Sequence, residues 1–484
     1  MSRLSLTASS IAIRAFQKGR MAAVLAAALA VPSVTLAAWH SNPSTNDAVC
    51  TAAGTQADAK SCTDGLGGAI IAWRDARGAD DDIYAQRVQA DGTMPWTFNG
   101  LSVCSATGTQ TGVRLVSDLN GGAILVWQDG RSGIFNIYAQ RLDANGNALW
   151  ASGGIELTTT TAESKQPEII SDGSGGAIVC WKNYVASNTA VYAQRLSSAG
   201  AFLWTPGGVV VRDTSLSNVG ETQTAKLCEG ATSGTAIIAW SDKRSGTEDI
   251  YAQRLDSSGA AVWAANGIVV CNSAGTQTMP AVGRDGSGGA VIAWRHQDSQ
   301  IQTYAQRITS AGSAVWTNGG ELGPTMQNID TVSVESSGST STLVVTGGLD
   351  RYEGTSYDPT TGQPGFGGGA MLIFNQTGLP CAPVGVHTGG TTYLLVNAML
   401  GGQAGITDIF GTRVNVAPAS YVYSQATVTN ATTNQRFPTA VSAGNGTAIV
   451  GWEDLRNGNS DIYVSMLKTN GALLPVALTS LSVE

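Results

Sequence analysis

The chain has 484 residues, 13% of them charged, with 60 glycines and a formal net charge of -8. An acidic surface wetted more by hydroxyls and amides than by charge excludes the basic footprint that nucleic acid requires, and it argues equally against docking on an anionic membrane surface. The 7 cysteines show no CxxC, CxxCH or Cys/His spacing, which leaves zinc, haem and thioredoxin-type chemistry unsupported.

Residues 1–38 read as a signal peptide. Arg3, Arg14, Lys18 and Arg20 form a basic n-region, residues 21–30 are an apolar run, and Thr35, Leu36 and Ala37 supply the small residues signal peptidase prefers. The run is too short to span a bilayer persuasively. The expectation is a bacterial Sec product, secreted to the periplasm or outside the cell, with no integral membrane segment after cleavage. Residues 39–50 then read as a detached fourth strand, because Trp39 stands upstream of Ala48–Cys50 much as Trp263 stands upstream of Val269–Cys271. Pairing with the last unit would close a ring; residues 472–479 offer the same slot from the other end.

Residues 39–484 are expected to form one domain built from a repeated unit of about 53 residues. The YAQR tyrosines Tyr84, Tyr138, Tyr192, Tyr251 and Tyr304 set the step, which continues to Tyr357, Phe410 and Tyr463. Copies six and seven, roughly residues 321–425, have lost most of the wording. Each unit reads as four strands: a modest first, an apolar second such as Gly175–Trp181, a third such as Ile137–Leu142, and a fourth opening at a tryptophan such as Trp150. Four strands in each of eight units predicts an all-β, eight-bladed β-propeller of antiparallel blades, with a seven-bladed ring as the alternative.

All 12 tryptophans have places in this pattern. Trp73, Trp127, Trp181, Trp240, Trp294 and Trp452 end second strands; Trp96, Trp150, Trp204, Trp263 and Trp316 open fourth strands; Trp39 belongs to the detached strand. A tryptophan wedged between blades buries roughly 150–250 Å², on the order of 4–6 kcal/mol before entropy, so the series reads as packing and not as carbohydrate stacking. Cys50, Cys104 and Cys271 share one slot in different copies and lie too far apart to bridge; Cys50 with Cys62 is the disulfide candidate, beside the plainer reading of small buried residues.

The hairpin after the second strand carries a DxRxGxxD pattern: Asp129 and Arg131, with Asn136 last; Asp242, Arg244 and Asp249; Asp454, Arg456 and Asp461; the first copy varies it as Asp75, Arg77, Gly78 and Asp82. Such a set suits a charge-assisted clamp that fixes a loop or ties neighbouring blades. The same carboxylates suit Ca²⁺, with Asp80, Asp81 and Asp82 as the candidate metal residues, and the arginines suit an anionic ligand. No other cofactor is expected.

The DxxGxxxW turn at Asp143–Trp150 and Asp256–Trp263 resembles both the Asp box of bacterial sialidases and the tryptophan-docking turns of quinoprotein dehydrogenases. It matches neither in spacing, and in both families the turn is a mark of fold. The full phrase GGAIVAWxDxRxGxxDIYAQRLDxxGxxxW is similar to repeats in large secreted bacterial proteins, and that resemblance implies a propeller without implying an activity.

A catalytic set is needed once, so it belongs where the repeat breaks. Three hairpins qualify: Lys182, Asn183 and Tyr184; Arg295, His296 and Asp298; Arg351, Tyr352 and Glu353. Their residue types are those a sialidase-like site needs, without that family's order. Lys182, Tyr184, Arg295, His296, Arg351 and Tyr352 are equally the candidates for a binding face at the channel mouth. The sequence therefore points to a secreted or cell-surface binding module with a protein or glycan ligand. A glycan-cleaving hydrolase and a structural surface or matrix protein stand as alternatives.

Overall fold

The computed structural model describes residues 39–40, 42–159, 161–185, 188–214, 225–316, 321–325, 329–336, 342–348, 351–357, 371–375, 384–389, 392–400, 406–415 and 423–468. They form an eight-bladed β-propeller of four-stranded antiparallel sheets. Blade 1 comprises Gln56–Thr63, Ala69–Asp75, Asp82–Val88 and Leu101–Cys104, and the later blades repeat that order. The first strands pack against one another in sequence, and Gln435–Gly444 of blade 8 returns to Gln56–Thr63, so these strands form the inner ring.

Ring closure follows the detached-strand reading. Asp47–Cys50 pairs antiparallel with Asp461–Lys468 and completes blade 8. The indole of Trp39 donates to Ala90 O at 2.9 Å, as Trp96 does to Ala144 O at 3.1 Å and Trp150 to Ser198 O at 3.1 Å. Trp39 therefore does for the closing junction what its counterparts do elsewhere. Residues 472–479, the competing segment, lie outside the described residues.

The letters of YAQR each have a structural task. Tyr138 stacks on Trp127 with ring centroids 6.4 Å apart, and the pair recurs in blades 1, 3, 4 and 5. Gln140, buried, donates to Ala151 O at 2.8 Å and accepts from Trp150 N at 3.0 Å, which fixes the turn into the fourth strand. Arg141 reaches Asp118 Oδ2 of its own blade at 2.9 Å and Ser198 O of the next at 2.8 Å. One turn carbonyl thus accepts from both the indole and the guanidinium of the preceding blade, and satisfying these buried groups is what sets blade against blade.

Three expectations need correction. The fourth-strand tryptophans stand ahead of their strands: Trp150 precedes Ile155–Glu156, because its ring inserts between blades. Tyr357 does not hold the third-strand tyrosine slot of blade 6; the strand bulge that precedes that slot falls between Tyr352 and Glu353, so Glu353 occupies it. Phe410 and Tyr463 follow the same bulge and do hold it. Cys50 and Cys62 are both buried free thiols, each with its pKa raised by burial, and they form no disulfide.

Candidate functional site

Each hairpin of the DxRxG type satisfies itself. Asp129, fully buried, accepts from the Trp127 indole at 2.8 Å, from Arg131 N at 3.0 Å, and from the Arg131 guanidinium at 2.8 and 2.6 Å. The guanidinium lies 4.0 Å over the Tyr138 ring and donates to Gly153 O of its own blade and to Cys104 Sγ of the preceding one. Burial alone would push the Asp129 carboxyl up, but the Arg131 and Trp127 hydrogen bonds outweigh it and hold the carboxyl below the usual range. Asp75 with Arg77, Asp242 with Arg244, and Asp454 with Arg456 repeat the arrangement. The last-slot carboxylates have other partners: Asp249 accepts from Ser245 Oγ and Asp461 from Asn457 Nδ2.

The acidic run disperses. Asp81 pairs with Arg74 at 3.0 Å, Asp80 accepts from Gly108 N at 2.9 Å, and Asp82 is buried at the junction with blade 2. Among the described residues, no group of three or more His, Cys, Asp or Glu side chains converges in the manner of a metal cluster.

In blade 5 the clamp is replaced. His296 takes the slot of the aspartate, 3.0 Å from Gln277 and edge-on to Tyr304 at 5.0 Å, with Asp298 at 3.8 Å from its Nε2. The Trp294 indole, which a carboxylate would otherwise accept, is buried without a hydrogen-bond partner. In blade 3 Lys182 is buried, and Lys182 and Lys165 lie 5.6 and 5.7 Å from the Tyr184 ring. Arg295 stands in the second strand of blade 5, paired with Thr303 and not on the hairpin, and donates to Gln297 Oε1 at 2.6 Å. Glu353 is buried within blade 6, paired with Thr346, so it stands in the third strand and not on the hairpin. The side chains of Arg351 and Tyr352 lie outside the described residues.

The structure adds a position that the sequence reading missed. Five of the first strands carry a β-bulge near the hairpin end among the described residues, and one residue there has a left-handed backbone: Asp58 (φ 59°), Gly112 (65°), Gln166 (56°), Met279 (56°) and Phe437 (49°). Non-glycine residues enter this region at a cost of about 1–3 kcal/mol each. The residue differs in each of these five copies while the backbone does not. Phe437 is 56% exposed.

Two of these bulges are bound through their main chain to the residue that follows a second-strand tryptophan. Asp58 N donates to Glu453 Oε1 of the preceding blade at 2.8 Å, and Gln166 N to Gln128 Oε1 at 2.6 Å. Arg74 meets Asp58 Oδ2 at 3.0 Å and Arg436 meets Glu453 Oε2 at 3.1 Å. Lys182 and Arg295 occupy the same post-tryptophan position in their blades. Deeper in the ring Glu168 lies 3.3 Å from Arg114 and 2.5 Å from Lys226. Burial would raise its carboxyl, but the two cations outweigh burial and lower it. The inner ring thus bears a belt of polar and apolar side chains that vary from blade to blade on a repeated frame.

Neither a family model nor a curated protein sequence matches the chain. Among solved structures it is similar to the polysaccharide lyase Uly1 (TM-score 0.46, 10% identity, 78% of this chain and 92% of that one). It is also similar to Sqt1 of Chaetomium thermophilum (TM-score 0.45, 13% identity, 87% and 98%). A third is an α-L-arabinanase of Penicillium chrysogenum complexed with arabinobiose (TM-score 0.38, 12% identity, 75% and 94%). At such identities the likeness is one of fold, and no activity passes to this chain.

Proposed function

We propose that this chain is a secreted binding propeller that takes a protein or glycan ligand at the hairpin-side mouth of its inner ring, without bond-breaking chemistry. The observation that carries this reading is the bulge position, where Asp58, Gln166, Met279 and Phe437 hold a backbone conformation that is costly for any residue but glycine, Gly112 holds the same conformation, and the five share no side-chain chemistry. Packing alone favours the same residue in every copy of a repeat. A strained, variable position on a fixed frame is what selection for a ligand leaves behind. The clamp carboxylates support the non-catalytic half of the reading, because Asp75, Asp129, Asp242 and Asp454 already hold an arginine.

The test is a glycan and protein array probed with the secreted chain and with the triple variant Asp58→Ala, Met279→Ser, Phe437→Ser, alongside a fluorogenic glycoside panel. Binding by the wild type that the triple variant loses, at unchanged melting temperature and without turnover, is the expected result. Glycoside turnover abolished by Glu353→Gln overturns the reading in favour of a hydrolase.

A further inference from the structure

Four successive first strands place charge at one level of the inner ring. Lys60, Arg114, Glu168 and Lys226 pair with Ala72, Val126, Cys180 and Ala239, in each case the residue just ahead of the second-strand tryptophan. Blades 5 to 8 carry Ala281, Ser333, Val384 and Thr439 at that level, all uncharged and none larger than valine. One half of the ring is therefore charged and the other half is neutral and open.

The charges do not cancel. Glu168 accepts from Arg114 Nε at 3.3 Å through Oε2 and from Lys226 Nζ at 2.5 Å through Oε1, so both oxygens of the one carboxylate at this level are taken. Lys60 has no carboxylate within ion-pair distance among the described residues. Its Nζ donates only to Ala59 O at 3.2 Å, and burial and then the Arg114 charge lower its ammonium. Arg114 gives Nη1 to Val113 O at 3.0 Å, which leaves Nη2 without a protein partner among the described residues. Three cations less one carboxylate leave two positive charges at a single level, in a chain whose net charge is -8.

Packing does not ask for them, because Ala281 and Thr439 fill the same position where the ring closes equally well. The side chains of Arg114 and Lys226 are 31% and 40% exposed, so a ligand in the ring can reach them. A cleft walled by one sign of charge concentrates the opposite sign, and a guanidinium with a free edge suits an oxyanion. At the mouth Phe437, 56% exposed, stands on the blade next to that of Lys60. A sugar acid offers both complements, an apolar ring face for the aromatic and a carboxylate for the cations; an acidic peptide offers only the second.

We propose, resting on the binding-propeller reading above, that the ligand is an acidic glycan and that Lys60, Arg114 and Lys226 take the carboxylate of one of its uronic-acid residues inside the ring. Glu168 holds two of the three cations in place and sets a limit on affinity, because it competes with the ligand for them.

The experiment is calorimetric titration of the chain with trigalacturonate, beside its methyl ester, which keeps the rings and loses the charges, and a polyglutamate peptide. Saturable binding of trigalacturonate that weakens with added NaCl, and none of the ester or the peptide, is the expected result. Lys60→Gln, which leaves both Glu168 pairs intact, should weaken binding by about tenfold, and Glu168→Gln, which frees Arg114 and Lys226, should tighten it by about the same factor. A purely structural ion cluster predicts the opposite for Glu168→Gln, a lower melting temperature and no gain in binding. The proposal is overturned if trigalacturonate does not bind, if the ester or the peptide binds as well or better, or if Lys60→Gln, melting as the wild type does, leaves binding unchanged. Should Glu168→Gln fail to fold, Lys60→Gln decides alone. A neutral ligand lost by the triple variant at the bulges would sink this proposal and keep the binding reading; trigalacturonate binding lost by Lys60→Gln and kept by the triple variant would keep the ring site and sink the mouth.

Discussion

Removing the Asp129 carboxylate isolates what one clamp contributes. Asp129→Ala strands the Trp127 indole N–H, now satisfied at 2.8 Å in a fully buried position, at about 1–3 kcal/mol for an unsatisfied buried donor. It also deprives Arg131 of both charge-assisted bonds, where breaking a buried pair by removing one partner costs about 3–5 kcal/mol. The Arg131 side chain is 26% exposed and keeps Gly153 O and the Tyr138 ring, so the lower end of that range applies, and the total is about 4–6 kcal/mol. For a ring of this size that is a fall in melting temperature of about 4–7 °C. Asp129→Asn, which keeps an acceptor for the indole, should fall between. The carboxyl is held below its ordinary value in the folded protein, so its contribution is complete above the unfolded pKa of about 4 and is lost as pH falls through the folded value. The gap between wild type and Asp129→Asn should accordingly close in acid. A double-mutant cycle with Arg131→Ala should show a coupling of about 2 kcal/mol or more. A melting shift below about 1 °C for Asp129→Ala, or strict additivity in the cycle, refutes the clamp as a stabilising device.

Trp39→Ala removes both a buried ring and the hydrogen bond to Ala90 at the closing junction, and should cost about 3–5 kcal/mol, read as faster unfolding or as early proteolysis ahead of Asp47. Two glycines with similar backbones separate strain from space. Gly154 (φ 92°) would place a Cβ 2.6 Å from the Trp127 ring, whereas Gly133 (φ 88°) has nothing within 4 Å. Gly133→Ala should cost only the left-handed penalty of about 1–2 kcal/mol, and Gly154→Ala several times that or failure to fold, by chemical denaturation; equal costs would sink the packing argument.

The fold was legible because six of the eight blades bury one indole at the end of one apolar run, and the spacing carries the count through the two that do not, where Thr346 and Asn397 hold the slot. Counting by a fixed step failed where loops change length. It named Tyr357 in blade 6, whose tyrosine slot holds Glu353, while Phe410 one blade later was found correctly. The arginine of YAQR was unread because its partners are remote: Arg87 binds Asp64 across the blade and Ala144 in the next one. The bulge was missed although a signal existed. Gln166, Met279 and Phe437 each precede a proline in a first strand, Pro167, Pro280 and Pro438, and proline inside a strand marks a bulge or an edge.

Hydrogen-bond capacity decides where a ligand can be met. The Arg131 guanidinium spends its donors on Asp129, Gly153 and Cys104 and lies flat on Tyr138, and Arg77, Arg244 and Arg456 are held over their tyrosines in the same way. Groups so committed have little to offer an anion, and taking them from their carboxylates would expose buried charge. The bulge residues are the opposite case: their backbones are fixed by neighbours such as Glu453 and Gln128, while side chains such as Phe437 and Asp58 reach solvent. A substitution in the clamp should therefore change stability before it changes binding, and one at the bulge should do the reverse. That ordering separates the frame from the ligand face without knowledge of the ligand.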